Sequence, residues 1–322
     1  MRILDDDNTS LVYDKNMVDR VLQIMSSKDI REEFPKYPTS RKEWALKARP
    51  IVDGRPNYLR YLPYMQRVYE DESNHVMVVF ARQMGKSTLA TTTMGCESTT
   101  IPGHEITYVT YEDLSLSTFS NEKFRPMFET EQLRPFTYNP IGEVGRVRLR
   151  NGSINNMVTH AHKFKHVEGK SINRLIFDET QYLDLDSWVA AQQTQSFTQG
   201  KMLVLGIGGY VNTEYHKWWL DTDQREWHYN NDLWRDKLEF RKSGTNRLVW
   251  DDYMIDVLAG YWRATKPENE FQHGYHISQT LAPWIPLTKH DAIEKYGIHP
   301  KWSIEWQQEK SSSTDFARHV MA

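Results

Sequence analysis

The fold turns on His75-Val-Met-Val-Val-Phe80 and the residues that follow it, Ala81-Arg82-Gln83-Met84-Gly85-Lys86-Ser87-Thr88. A short apolar run passes into a polar loop, and the loop opens Ser87-Thr-Leu-Ala-Thr-Thr-Thr-Met-Gly95, which reads as a helix. Strand, tight loop and helix form the context of a phosphate-binding loop, in which backbone N–H groups and a helix N-terminus surround nucleotide phosphates. In such a loop Lys86 reaches the β- and γ-oxygens and Ser87 holds Mg²⁺, while Gln83, Met84, Gly85 and Thr88 complete the nucleotide-binding set. The usual pattern carries a second Gly five residues before Gly85, and here that position is Phe80.

A second stretch, Phe164-Lys-His-Val-Glu-Gly169-Lys170-Ser171, repeats the same letters at the same spacing. It follows a basic stretch and leads into a short apolar strand, Arg174-Leu-Ile-Phe177, so only the first copy offers phosphate a helix N-terminus. That strand ends in Asp178-Glu179, the form of a Walker B element. An Asp at the carboxyl end of a strand coordinates Mg²⁺ through water, and the following Glu orients water for in-line attack on the γ-phosphate. With Lys86 and Glu179 both present, the pattern points to ATP hydrolysis rather than binding alone.

These motifs resemble the ATPase domain of the large terminase subunit of tailed double-stranded DNA bacteriophages. The resemblance rests on Arg-Gln-x-Gly-Lys-Ser without the first Gly, Asp178-Glu179 after an apolar strand, and Gly169 before it. It extends to Asn151-Gly152-Ser153 in a hairpin and to Gly274-Tyr-His-Ile-Ser-Gln279-x-x-Ala282-Pro-Trp284. It implies a DNA-packaging motor using ATP and Mg²⁺, with double-stranded DNA, a portal protein and a small terminase subunit as partners. It also implies a homo-oligomeric ring on the procapsid, in the cytoplasm of the infected host cell. The position of Arg82 then supplies a positive charge to the γ-phosphate, in cis or from a neighbouring subunit. Gln66, in Pro63-Tyr64-Met65-Gln66, stands where the family contacts adenine. The family's coupling motif, a small polar triplet with a hydroxyl, should follow Lys201-Met-Leu-Val-Leu205, but the chain reads Gly206-Ile207-Gly208-Gly209, leaving Asn212 or Thr213 as substitutes.

The chain has 322 residues, 39% of them apolar, enough for a sizeable core. Its longest apolar run falls far short of the roughly 18 residues of a membrane span, and its start lacks the basic and apolar regions of a signal peptide. Cys96 is the single cysteine, which excludes intrachain disulfides and reads as a small buried residue of the loop's helix. A net charge of −3 requires any DNA contact to be local. Arg146, Arg148 and Arg150 alternate with Val147 and Leu149, so they share one strand face. With Lys163 and Lys165 of a basic loop, they are the DNA-backbone candidates.

The expected fold is α/β, a P-loop NTPase of the RecA/ASCE-like kind with a mainly parallel sheet flanked by helices. The expected organisation is a polar arm over 1–50, an ATPase core over 51–210 and a Trp-rich lid or linker subdomain over 211–322, whose Trp residues form a small core of their own. A nuclease domain is expected to be missing from this length of chain. A helix is expected around 17–25, another from Asp113 to about Arg125 that Pro126 stops, and a third capped by Asp186. The main alternative is a two-lobed helicase or repair-type translocase, which shares the P-loop and the Asp-Glu pair but needs a second RecA-like lobe. A non-catalytic scaffold would not need Glu179.

Overall fold

The computed structural model describes residues 2–5, 8–13, 34–52, 55–56, 62–159, 171–183, 193, 195, 198–236, 240–242, 248–250 and 259–321. Two antiparallel ribbons come first, β1 (Arg2–Asp5) with β2 (Asn8–Tyr13) and β3 (Ile51–Val52) with β4 (Arg55–Pro56). The main sheet takes in β5 (His75–Phe80), β6 (Glu105–Thr110), β7 (Arg146–Arg148), β8 (Ile154–Thr159), β9 (Arg174–Phe177), β10 (Lys201–Gly206) and β11 (Arg225–Tyr229). A third ribbon, β12 (Phe240–Lys242) with β13 (Leu248–Trp250), precedes its last members, β14 (Gly260–Ala264) and β15 (Gln272–Ile277).

Nine strands form this sheet in the order β14-β11-β15-β5-β10-β9-β6-β8-β7. Everything from β11 to β8 runs parallel, and only the edge strands β14 and β7 are antiparallel. Parallel strands need helical crossovers that cover both faces, so the central strands β5, β9 and β10 are almost entirely apolar after their first residues. In β5, Val76, Val78 and Phe80 enter one core while Met77 and Val79 enter the other. In β10, Leu203 and Leu205 alternate with Met202 and Val204 in the same way, the period of two that a strand imposes.

The first core lies under α1 (Arg41–Ala48), α2 (Pro63–Glu70) and α3 (Lys86–Thr100); the second lies under α5 (Glu214–Leu220). Part of the expected arm therefore packs on the core: Trp44 of α1 is fully buried and donates its indole N–H to Thr99 Oγ1 at 2.9 Å. The sheet also passes the expected boundary at 210, because β11, β14 and β15 complete it beyond β5. Trp227 and Trp262 accordingly pack into the main core against Tyr64 and Phe80 rather than into a separate one.

The helix expected to stop at Pro126 differs in detail. Helix α4 (Asp113–Thr118) runs on as a π-helix, Phe119–Phe124, and ends in a turn, Arg125–Met127, that contains Pro126. Pro126 falls at the end of this unbroken helical run, which stops at Met127. The helices expected around 17–25 and after Asp186, and the repeat at 164–170, lie outside the described residues.

A buried ion pair ties the sheet to its principal helix. Arg174, the first residue of β9, donates to Glu97 of α3 through Nε, at 3.1 and 2.9 Å to the two carboxylate oxygens, and through Nη2 at 2.5 Å. His104 Nε2 stands 3.2 Å from the same carboxylate and Arg41 Nη1 3.8 Å away. Burial works to raise the pKa of Glu97, but Arg174, His104 and Arg41 override it and hold the carboxyl well below the usual carboxylate range. A depressed pKa contributes stability above the unfolded-state value near 4.3, lost only as pH falls through the lower folded value. Glu97→Gln should leave Arg174 buried without its counter-charge and cost about 3–5 kcal/mol. Urea unfolding at pH 7 would show this as a lower midpoint at unchanged slope, and the gap from the parent should narrow in strong acid.

Candidate nucleotide-binding site

β5 ends at Phe80 and α3 begins at Lys86, so five residues, Ala81 to Gly85, make the whole turn. The left-handed backbone that such a turn demands falls on Gln83, at φ 61°, and Gly85, at φ 90°. A side chain at Gly85 would meet Met65 Cε at 3.0 Å and Leu62 Cδ1 at 3.2 Å as well as the strained φ. The absent first glycine has a direct explanation. Phe80 is still strand, fully buried with its ring stacked on Trp262 at 6.1 Å and edge-on to Tyr64 at 5.7 Å.

The loop is fastened from outside by its neighbours, beginning with the Ala81 N–H, which donates to the Ile277 carbonyl of β15 at 3.0 Å. Tyr64 OH of α2 donates to the Met84 carbonyl at 3.1 Å, and Gln279 Nε2 donates to the Arg82 carbonyl at 2.9 Å. The Arg82 N–H donates to the His319 carbonyl at 3.0 Å. Gln66 is half-buried on α2, two residues beyond Tyr64.

Lys86 arches back over the loop, donating to the carbonyls of Phe80 at 2.7 Å and Ala81 at 3.0 Å. Burial pulls its pKa down to about 8; the carboxylates of Asp178 and Glu179 oppose that pull, and Arg82 and Lys123 add to it. An ammonium so desolvated gains most from a polyphosphate partner. Ser87 and Thr88 follow at the helix start, both half-buried.

β9 brings Asp178 and Glu179 to the same edge of the sheet, with β10 lying between β9 and the P-loop strand. Asp178 is buried; its Oδ2 accepts from Tyr108 OH at 2.8 Å and its Oδ1 from the Glu179 N–H at 2.9 Å. Glu179 takes a left-handed backbone, φ 54°, rare for a residue with a side chain and the kind of strain that collects at functional sites. Its Oε2 accepts from Ser115 Oγ at 2.9 Å and Thr110 Oγ1 at 3.5 Å. Burial raises the pKa of Glu179, the Ser115 hydrogen bond counters that, and the charges of Asp178 and Glu112 raise it further.

Arg82 is exposed, with Nη2 3.3 Å from His319 Nε2. Burial and the nearby Arg82 charge lower the pKa of His319, so its imidazole is neutral at pH 7 and Nε2 can accept from the guanidinium. The neighbouring Arg318 donates to the Gly208 carbonyl at 3.2 Å and to Tyr210 OH at 3.1 Å, with its guanidinium 4.4 Å from the Tyr210 ring centre.

The Gly206-Gly209 loop is thus held without the expected hydroxyl. Ile207 N–H donates to Gln181 Oε1 at 3.1 Å and Tyr215 OH to the Ile207 carbonyl at 3.0 Å. A Cβ on Gly206 would lie 2.3 Å from that tyrosine oxygen, which is why glycine stands where a small polar residue is expected. Thr213, one of the two substitutes, is taken up as the N-cap of α5, accepting from the His216 N–H, and Asn212 is exposed.

Sequence reasoning missed Tyr108, Ser115, Gln181, Arg318 and His319. None carries a local motif: Tyr108 comes from β6, Ser115 from α4, Gln181 from the turn just after Glu179, and Arg318 and His319 from the last helical turn described. Cys96 is buried as expected, and burial pushes its thiol up to about 12.

On the far edge, Arg146 and Arg148 are exposed while Val147 and Leu149 are fully buried. Arg150 is also exposed, but it is committed to packing: its guanidinium lies 5.6 Å from the Phe34 ring centre and donates to the Pro135 carbonyl at 3.2 Å. Lys163 and Lys165 lie outside the described residues.

Residues 60–231 match the family described as phage terminase large subunit gpA, ATPase domain, more than half of the chain. No curated protein sequence matches the chain. Among solved structures, the large terminase ATPase domain of Thermus phage P74-26 is similar with a TM-score of 0.52 at 11% identity, over 84% of this chain and 94% of that one. A mutant of the same domain gives 0.51 at 12% identity over the same shares. The large terminase of the thermophilic bacteriophage D6E gives 0.48 at 10% identity, over 82% of this chain and 52% of its own. The likeness to the P74-26 domain, at such identity, speaks for the fold, whereas the match over residues 60–231 speaks for kinship. The chain belongs to the phage terminase large subunit gpA ATPase-domain family.

Proposed function

We propose that this chain is the ATPase of a viral DNA-packaging motor, coupling hydrolysis of Mg·ATP to translocation of double-stranded DNA into a procapsid. The observation that carries this reading is the meeting of Lys86 with Asp178 and Glu179 at one edge of a parallel sheet, close enough for both carboxylates to act on the lysine. Edges of this kind, at the carboxyl ends of parallel strands, are where open α/β sheets bind ligands.

The roles we assign combine this geometry with the family resemblance, which supplies those of Gln66 and Arg82. The N–H groups from Gln83 to Thr88 and the N-terminus of α3 receive the phosphates, Lys86 leaves the Phe80 and Ala81 carbonyls for the β/γ oxygens, and Gln66 contacts adenine. Ser87 and Asp178 offer the hard oxygen donors that Mg²⁺ favours, one hydroxyl and one carboxylate, with phosphate and water completing the shell. Bound there, Mg²⁺ would neutralise charge on the phosphates. Glu179 orients the attacking water, and Arg82, once it lets go of His319, supplies positive charge to the γ-phosphate.

Arg146 and Arg148, with Lys163 and Lys165, contact the DNA backbone, and Arg150 braces their strand. The unit doing this work joins residues 51–210 to β11, β14 and β15, and the segment after Ile277 acts as the linker that touches the P-loop. A portal protein, a small terminase subunit and further copies of the chain are its partners on the procapsid, in the host cytoplasm. No helix among the described residues is long and apolar enough to cross a membrane. The helicase-type alternative would need a second RecA-like lobe, and the other sheets among the described residues are two-stranded ribbons.

An ATPase assay with and without linear duplex DNA tests the whole reading. Lys86→Ala should abolish hydrolysis, whereas Glu179→Gln should retain nucleotide and lose turnover; a normal rate in the latter removes Glu179 from its role.

Arg82→Ala should bind ATP within a few-fold of the parent yet turn over at least about a hundredfold more slowly, in line with the roughly 10³–10⁵ attributed to arginine fingers. Mixing it with Lys86→Ala protein separates the two geometries, since only a trans arginine restores activity.

Replacing Arg146 and Arg148 with Ala should flatten the log–log salt dependence of duplex binding by about one unit per lost phosphate contact, equally for all sequences. An unchanged slope would move the DNA surface elsewhere.

A further inference from the structure

Both acids of the site are held from the side, by a single continuous segment. β6 contributes Tyr108, whose hydroxyl donates to Asp178 Oδ2 at 2.8 Å, and Thr110, 3.5 Å from Glu179 Oε2. α4 then contributes Ser115, 2.9 Å from the same Oε2, and the π-helix contributes Phe119, whose ring stacks on Tyr108 with centres 3.9 Å apart and planes at 7°. Ser115 and Phe119 are four residues apart and so share one helix face. Through that face, Ser115 acts on Glu179 directly and Phe119 acts on Asp178 through Tyr108. The switch from α- to π-helix comes at Phe119 itself, and such insertions recur at functional sites. The start of α4 is tied down in turn, with Thr159 Oγ1 donating to Asp113 Oδ1 at 3.0 Å.

We propose that Ser115 is a positioning residue for hydrolysis, fixing the Glu179 carboxylate through Oε2 so that Oε1 is the oxygen turned to the attacking water. The inference rests on the assignment of Glu179 to water orientation made above. A serine hydroxyl has one proton to give. It has two acceptors within reach, Glu179 at 2.9 Å and Glu112 Oε1 at 3.5 Å, and the shorter contact goes to Glu179. Without that bond, burial and the left-handed backbone still bring the carboxylate to the site, but only the longer Thr110 contact, at 3.5 Å, is left to select which oxygen faces the water. The loss falls on a step after nucleotide binding. Ser115 acts on Glu179 and is absent from the phosphate-binding loop, so ATP affinity is left alone.

The test is steady-state ATP hydrolysis by the full chain carrying Ser115→Ala, Ser115→Thr, Glu179→Gln, and Ser115→Ala with Glu179→Gln, together with equilibrium binding of a fluorescent ATP analogue. Ser115→Ala should lower kcat by about 10- to 100-fold, the range of one hydrogen bond to a charged group, while KM and analogue affinity stay within about threefold. Ser115→Thr keeps the hydroxyl and should recover most of the rate. In the Glu179→Gln background, Ser115→Ala should add no further loss. The inference is overturned by a parent-like kcat in Ser115→Ala, by a loss that appears in KM and analogue binding, by failure of threonine to rescue, or by full additivity with Glu179→Gln. Unimpaired turnover in Glu179→Gln overturns the assignment of Glu179 and this inference with it. A crippled Glu179→Gln beside an unaffected Ser115→Ala overturns this inference alone. Retained analogue binding certifies that each variant is folded.

Discussion

The spacing between the two halves of the site depends on an ion pair at the opposite end of the sheet. Arg174 opens the strand that ends at Asp178, and Glu97 lies three turns along the helix that begins at Lys86. From Arg174 to Asp178 the chain rises about 13 Å at strand pitch. From Lys86 to Glu97 it rises about 16 Å at helix pitch. Both segments are rigid over those distances, so pinning their far ends sets how their near ends face each other. A charged pair suits this task because the guanidinium fork fits a carboxylate in one orientation, whereas an apolar contact tolerates sliding. It brings strict dependence on both partners, since neither charge can remain buried alone.

At the working end, the P-loop is held by groups from outside its own strand and helix. Tyr64, Gln279 and His319 each bond a different backbone atom of it, and Arg318, next to His319, bonds the loop after β10. The last helical turn therefore touches the P-loop and the Gly206-Gly209 loop together. Any movement of that turn is felt at both, and any change in Arg82 is felt by the turn. A neutral His319 is what lets the contact with Arg82 exist, because a protonated imidazole would repel the guanidinium.

The glycine-rich loop after β10 shows how a family pattern can change without loss of structure. The expected hydroxyl is gone, but Tyr215 fills the space a side chain would need and bonds Ile207 instead, and Gln181 takes the Ile207 N–H. Close packing has replaced a local polar contact, and only glycine at 206 leaves room for it.

The sequence alone determined the elements that local pattern controls. Apolar β5 running into Gly85-Lys86-Ser87 predicts strand, loop and helix. Asp178-Glu179 after the three apolar residues Leu175-Ile-Phe177 predicts the second half of the site. Alternation of Arg146, Val147 and Arg148 predicts which side chains face out, and the exposed and buried positions follow it. Tertiary structure decided what depends on partners distant in the chain. Strand order put β10 between β5 and β9 and brought β15, far along in sequence, to the flank of the P-loop strand. Trp227 and Trp262 entered the main core because their strands joined that sheet, a pairing that composition does not encode. Ser115, Tyr108 and His319 are a serine in a short helix, a tyrosine in a strand and a histidine near the end of the chain. They become parts of the site only when the backbone brings a donor or acceptor within about 3 Å, a distance that residue types do not carry and packing does.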